Sequence, residues 1–216
     1  MRKAIIISGL VTHLSDNIIP FLDKKTDIFC FSWKTEDNIR WINKLNRYKK
    51  YCDNLYIEVA EPLFTSKRHS YFYSTYRAVN MIQDIFKYDR IIKFKPNVTG
   101  SVKYIGNIDY YYYKANLQSR PLLEGTKKEE CLYGTIHYQT MDERIFTGYP
   151  LAFSKLFHIL EESFIYQMHT IDSDVRSQYG SNCEGSIFWK EWIEQNNIKL
   201  IQDIDLVIPD SKPWQQ

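Results

Sequence analysis

Runs of apolar and β-branched residues alternate with segments of helical spacing along the first half of the chain. The predicted strands are Lys3 to Ser8, Asp27 to Trp33, Leu55 to Val59 and Asp89 to Lys95. Helical spacing is predicted from about Asp37 to Tyr51 and over Ser66 to Lys87. The first strand ends in Ser8-Gly9, a pair that predicts a tight loop, and Pro96 stops the fourth strand because proline cannot donate to a ladder.

The second half of the chain has a weaker pattern. No clear period runs from Val98 to about Gly134, so we expect a hairpin or loop region there. Helices are predicted over Phe146 to Phe164 and Ser186 to Gln195, and a last strand over Lys199 to Val207.

Strands that alternate with helices favour an α/β fold with a mixed, mostly parallel sheet covered by helices on both faces. The chain has 216 residues, of which 44% are hydrophobic, and this length is typical of one domain. We therefore predict a single domain over residues 1–216.

Charge and cysteine content narrow the possible partners and sites. Lys and Arg total 28 against 26 for Asp and Glu, and a net charge of +2 provides no strong field for nucleic acid. The four cysteines form no CxxC pair, so neither a zinc site nor a disulfide framework is predicted. The apolar stretch Ala4 to Val11 falls far short of the roughly 20 residues that a membrane span needs. We expect a cytoplasmic protein with no transmembrane segment.

Four blocks in the same order resemble a family of small glycosyltransferase-like proteins of surface-polysaccharide synthesis, the WavE-like group, found in bacteria and in large viruses. Ile5 to Thr12 (IIISGLVT) is similar to the family's ISGQxR, and Asp27 to Trp33 (DIFCFSW) is similar to its DIFxxxW. Ser70 to Ala78, continuing into Tyr88 to Asn97 (YDRIIKFKPN), resembles the segment that typically ends in YDxxIRxRPD. Met141 to Gly148 (MDERIFTG) resembles NDxFxxGS.

This resemblance implies a GT-A-like, Rossmann-like fold and the transfer of a hexose or related sugar from a UDP-, GDP- or similar donor to a surface glycan. Residues 1–100 would form the nucleotide-sugar-binding half and residues 101–216 the acceptor side. The chain departs from the family at Thr12 and at Lys93 and Lys95, where Arg is usual, and at Asn97, where Asp is usual. Asn offers a divalent cation one neutral carbonyl and no carboxylate, so the requirement for Mn²⁺ or Mg²⁺ at Asn97 is in doubt.

The candidate donor-binding residues follow the first and fourth strands. Ser8, Gly9, Thr12 and His13 lie at the end of the first strand, where ligands bind in open α/β sheets. The alternatives are that Gly9 only makes the turn and that His13 is a surface residue. Lys93, Lys95 and Arg77 are candidates for a cationic cluster that stabilises the departing diphosphate. The alternative is an edge strand protected by lysines.

The candidate catalytic residues are acidic and lie in the second half. Asp142, in the fourth block, is the candidate base that deprotonates the acceptor hydroxyl, and a helix cap is its alternative role. Glu184 is a second candidate and Glu143 a third. The DxD triplets Asp172 to Asp174 and Asp203 to Asp205 are interpreted as a loop and a solvated strand face rather than a metal motif.

Two other functions stay open. A catalytically degraded member of the same fold, which binds a nucleotide sugar or glycan or serves as a scaffold, is the alternative that Asn97 favours. A nucleic-acid-binding domain with stacking tyrosines would need a basic groove that the balanced charge does not predict.

Overall fold

The structure is a computed structural model that describes residues 2–11, 26–94, 127–137, 140–180 and 185–202. Its strands are β1 (Lys3–Ser8), β2 (Thr26–Trp33), β3 (Leu55–Ala60), β4 (Arg90–Phe94), β5 (Cys131–His137), β6 (Thr140–Gly148) and β7 (Lys199–Gln202). Its α-helices are α1 (Glu36–Lys49), α2 (Lys67–Asn80), α3 (Pro150–Phe157), α4 (Glu161–Tyr179) and α5 (Gly185–Gln195). No helix within these ranges is long and apolar enough to cross a membrane.

The described strands form one sheet in the order β3-β2-β1-β4-β6-β5-β7. Neighbours β3, β2, β1 and β4 are parallel, and β7 is parallel to β5. Only β6, among the described strands, runs against its neighbours. The predicted α/β class with a mixed, mostly parallel sheet is therefore confirmed.

Helices cover both faces of this sheet, because successive side chains of a strand point to opposite faces. On one face, Ile5 and Ile7 of β1 join Ile42 and Leu45 of α1. On the other face, Ile6 of β1 belongs to a large core that draws on α2, α3, α4 and α5. This second core is rich in aromatic side chains: Phe72, Phe153, Phe157, Phe164, Phe188, Trp189 and Trp192.

Three predictions in the middle and second half of the chain are wrong. The helix predicted over Ser66 to Lys87 ends at Asn80, and a separate 3₁₀ turn, Ile85–Lys87, follows it. The region predicted as irregular up to Gly134 contains the beginning of β5. The helix predicted from Phe146 begins only at Pro150, since β6 continues to Gly148.

Candidate functional site

The candidate site lies at the carboxyl edge of the parallel strands, between β1 and β4. The chain builds β1, β2 and β3 outward in one direction and then places β4 on the opposite side of β1. This reversal is a topological switch point, where open α/β sheets bind ligands outside the carboxyl ends of their strands. Helix α2 connects the parallel strands β3 and β4, so it begins at the same edge.

Polar side chains of β1 and α2 meet below this edge. Ser8, the last residue of β1, is fully buried, and its Oγ lies 2.9 Å from Oγ1 of Thr75 on α2. The Thr75 hydroxyl also donates to the Tyr71 carbonyl oxygen at 3.2 Å. A buried hydroxyl without a hydrogen-bond partner destabilises the folded state. The pairing of Ser8 with Thr75 removes this cost and lets the apolar strand β1 end in a polar residue.

Lys93 of β4 brings an amino group to the same face of the sheet. It pairs in register with Ile6 of β1 and Phe146 of β6, and its side chain is 0% exposed. Its Nζ lies 4.3 Å from the centroid of the Tyr71 ring, a cation–π contact that partly replaces the lost hydration. The edge-strand role for Lys93 is wrong, because β4 lies between β1 and β6 and the side chain is buried.

The loop that leaves β1 is shaped by Gly9. Its φ of 105° is a conformation that side chains disfavour, which explains a glycine at this position. A Cβ built at Gly9 would meet no atom of the described residues within 4 Å. Gly9 therefore makes the turn, which was the alternative to a ligand-binding role, and that binding role stays a prediction.

Arg77 lies in a different group of charges. Its Nε donates to Oε1 of Glu58 at 2.9 Å, and its guanidinium lies 3.8 Å from Glu161. Tyr73 donates to the same Glu161, and burial together with that hydrogen bond raises the pKa of Tyr73 to about 12. Glu58 belongs to β3, which β2 and β1 separate from β4. The structure therefore does not place Arg77 beside Lys93.

Asp142 lies within β6, and the helix-cap alternative for it is wrong. The helix that follows begins at Pro150 and has Tyr149 as its N-cap residue. Because Phe94 of β4 pairs with Ile145 in the antiparallel β6, the backbone before Ile145 extends past the carboxyl end of β4. The backbone of Asp142 therefore lies at the same edge of the sheet as Ser8 and Lys93.

The remaining candidates, Thr12, His13, Lys95, Asn97 and Glu184, lie outside the described residues. Their roles, like that of Asp142 as a base, stay predictions. Within the described part of the chain, no three His, Cys, Asp or Glu side chains form a group that could hold a metal ion.

Asp172 belongs to α4 and not to a loop, so the interpretation of the first DxD triplet as a loop is wrong. Its carboxylate accepts from Arg68 at 2.6 Å and from Arg176 at 2.7 Å. His69 Nε2 lies 3.5 Å from the same carboxylate, and the His69 and His169 rings are 5.0 Å apart. The carboxylate therefore joins α2 to α4. The second triplet, Asp203 to Asp205, lies outside the described residues.

Sequence reasoning did not name Tyr71 and Thr75 as candidate residues. Both belong to the third family-like block and lie on α2, where their polar groups stand among buried side chains. Polar groups within a largely buried helix were a signal that could have identified them.

No protein-family model matches this chain, and no curated protein matches it. Among solved structures, the chain is similar to the apo form of mouse xyloside xylosyltransferase 1. The two sequences are 9% identical, and the match covers 93% of this chain and 85% of the other, with a TM-score of 0.35. A similarity this remote identifies neither a family nor a function, so the resemblance of the four sequence blocks stays a prediction.

Proposed function

We propose that this protein is a glycosyltransferase that moves a hexose or related sugar from a nucleotide-sugar donor to a glycan or glycoconjugate acceptor. The observation that carries the proposal is the switch point between β1 and β4, where Ser8, Thr75 and the buried Lys93 converge on one face. Three of the four family-like blocks contribute to this place: the first supplies Ser8, the third supplies Thr75 and Lys93, and the fourth supplies the β6 backbone.

The charge requirements of the reaction match the proposed roles. In glycosyl transfer the acceptor oxygen bonds to the anomeric carbon while the bond from that carbon to the diphosphate oxygen breaks. The nucleoside diphosphate leaves with the electron pair, and a base accepts the acceptor's proton. The amino group of Lys93 lies in low-dielectric surroundings, where its charge, once it is protonated beside the diphosphate, would stabilise developing negative charge more strongly than in water. Asp142 is the proposed base, and a divalent cation at Asn97 is an open part of the proposal.

The first test is a thermal-shift panel of UDP- and GDP-sugars with and without Mn²⁺, followed by an assay of nucleotide release. A donor present at 100 times its Kd stabilises the folded state by about 2.7 kcal/mol. We expect one donor to raise the Tm and to be consumed when an acceptor glycan is added. A protein that binds a donor without turnover, and gains Mn²⁺-stimulated turnover on Asn97→Asp substitution, would instead be the degraded binding protein. A well-folded protein that binds no donor would refute the transferase and favour the non-catalytic alternative, a glycan-binding or scaffold protein.

Lys93→Met tests the residue that carries the charge, because Met fills a similar volume without the ammonium. The matched control is Lys87→Met, which removes a lysine from the 3₁₀ turn at the amino end of the same strand. We expect Lys93→Met to weaken donor binding by at least about tenfold, the loss expected for a charge-assisted hydrogen bond or charge contact. Equal donor affinity in the two variants would remove Lys93 from the site.

A further inference from the structure

Asn38 is a fully buried polar residue in the first turn of α1, on the sheet face opposite α2. Its Oδ1 accepts from the Val11 backbone N–H at 2.9 Å. Its Nδ2 donates to the Ser32 hydroxyl at 2.7 Å and to the Trp33 carbonyl oxygen at 2.6 Å. A single amide group therefore connects the segment after β1 to the end of β2.

These bonds belong to a chain that holds the backbone from Gly9 to Val11. The Ser32 hydroxyl, which accepts from Asn38, itself donates to the Gly9 carbonyl oxygen at 2.8 Å. The Gly9 N–H donates to the carbonyl oxygen of Phe31 at 3.1 Å. Gly9 has no side chain to anchor it, so the position of its peptide groups depends on these bonds. Both ends of the segment are thus fixed to β2 and α1.

Holding α1 on the sheet does not require Asn38. The helix buries Ile42 and Leu45 in the apolar core of that face. The N-cap residue, Thr35, makes no side-chain capping bond, and the Asn38 amide does not replace it but reaches to neighbouring segments. The polar group of Asn38 is therefore directed at the loop after β1 and at the end of β2 rather than at its own helix.

We propose that Asn38 is a positioning residue for donor binding. It fixes residues Gly9 to Val11 at the carboxyl end of β1, directly through Val11 and by way of Ser32 through Gly9, beside the edge where the nucleotide sugar is proposed to bind. The inference rests on the proposed function, which supplies the ligand. It adds a residue that touches no ligand and controls affinity through the shape of the loop.

The test compares Asn38→Leu with Leu45→Ala. Leu matches the shape of Asn and removes its hydrogen bonds, whereas Leu45→Ala removes a buried side chain two turns further along the same helix and leaves every hydrogen bond of the Asn38 amide in place. Two quantities are measured on each folded protein: amide hydrogen exchange at Val11, and the Kd for the donor identified in the thermal-shift panel. Ser32→Ala serves as a second variant if Asn38→Leu does not fold, because it removes the link to Gly9 and keeps the bond to Val11.

We expect Asn38→Leu to accelerate Val11 exchange and to raise the Kd by about tenfold, since buried hydrogen bonds to the loop are lost. Leu45→Ala should lower the Tm at least as much and change the Kd less than about twofold, because it is distant from the loop's hydrogen bonds. Ser32→Ala should raise the Kd with little change at Val11.

The two hypotheses fail in different ways. A wild-type protein that binds no donor refutes the proposed function, and the positioning role falls with it. A wild-type protein that binds donor, together with an Asn38→Leu variant that binds it equally well despite faster Val11 exchange, overturns the positioning role and leaves the proposed function standing.

Discussion

The ion-paired group around Asp172 gives a direct test of how α2 is held against α4. We consider Asp172→Asn, which keeps the side chain's shape and one acceptor oxygen but removes its charge. The side chains of Arg68 and Asp172 are 16% and 10% exposed, so the substitution removes a carboxylate charge beside a nearly buried guanidinium. Arg176, the other partner, is 48% exposed and is therefore well screened by water.

The expected loss of stability follows from the exposed fractions of these side chains. Removing one partner of a buried ion pair costs about 3–5 kcal/mol. Because Asn still accepts a hydrogen bond and the exposed Arg176 pair contributes only about 0.5 kcal/mol, we expect the free energy of unfolding to fall by about 3 kcal/mol. For a domain of this size, that loss lowers the Tm by roughly 6–12 °C.

Urea unfolding followed by tryptophan fluorescence measures this loss, since Trp189 and Trp192 are buried in the core between the helices and the sheet. Asp174→Asn is the matched control: Asp174 lies on the same helix but is exposed, so its substitution should change the stability by less than about 0.5 kcal/mol. In a double-mutant cycle with Arg68→Met, the coupling energy should exceed about 1 kcal/mol. A loss below about 1 kcal/mol for Asp172→Asn, or a loss equal to that of Asp174→Asn, would refute this reasoning.

Three further predictions concern pH and two glycines. Burial lowers the pKa of His69 below its usual 6.5, as do the nearby His169, Arg176 and Arg68 against the opposing effect of Asp172. Between the folded and unfolded pKa values the unfolded chain binds more protons, so the free energy of unfolding should fall as the pH drops below about 6.5. Denaturant titrations at several pH values measure this dependence, and His69→Gln should make it weaker. An unchanged pH dependence in His69→Gln would contradict the role of His69. Gly148→Ala should cost about 1–3 kcal/mol by overpacking, because the new Cβ would lie 2.7 Å from Leu132 and 3.1 Å from the Cys131 carbonyl oxygen; a stability equal to wild type would show that the sheet relaxes there. Gly9→Ala should cost about 1–3 kcal/mol through backbone strain, since its φ is 105° and no atom of the described residues lies within 4 Å of the new Cβ; a neutral result in the same denaturant assay would exclude strain at that turn.

The parallel half of the sheet was predictable from the sequence. Strands β1, β2 and β3 match their predicted ranges to within one residue at each end. The runs of β-branched and aromatic residues in β1 and β2 are buried on both faces, which is the pattern that parallel strands impose, whereas β3 is only partly buried. The position of Ser8-Gly9 at the end of β1 followed from the same pattern, because a polar residue and a glycine end the apolar run.

The second half failed where periodicity is ambiguous. The apolar residues from Phe146 to Phe153 fit the pattern of a buried strand as well as that of a helix. Only the pairing with β4 assigns Phe146 to β6. Helix α4 was missed although Phe164, Met168, Ile171 and Val175 follow helical spacing, because charged and polar residues surround those positions. The hydrophobic pattern of a segment does not predict which other segments pack against it.

Contacts between distant segments also explain the misread charges. Asp172 is a polar residue in a polar stretch, and only the approach of α2 turns it into the partner of Arg68. In the same way, the sequence suggested that Arg77 belongs to a cationic cluster, whereas in the structure it pairs with Glu58 of β3. Sequence identified some of the charged side chains, but the partners of those side chains are set by tertiary structure.

The central claim, that a nucleotide sugar binds at the carboxyl edge between β1 and β4, is tested most directly by photo-cross-linking with an azido-substituted nucleotide sugar and peptide mapping. The account predicts labelling of peptides that contain Ser8 to Val11 or Arg90 to Phe94, and loss of that labelling when unmodified donor is in excess. Labelling that maps elsewhere, for example to α4, or that excess donor does not reduce, would contradict it.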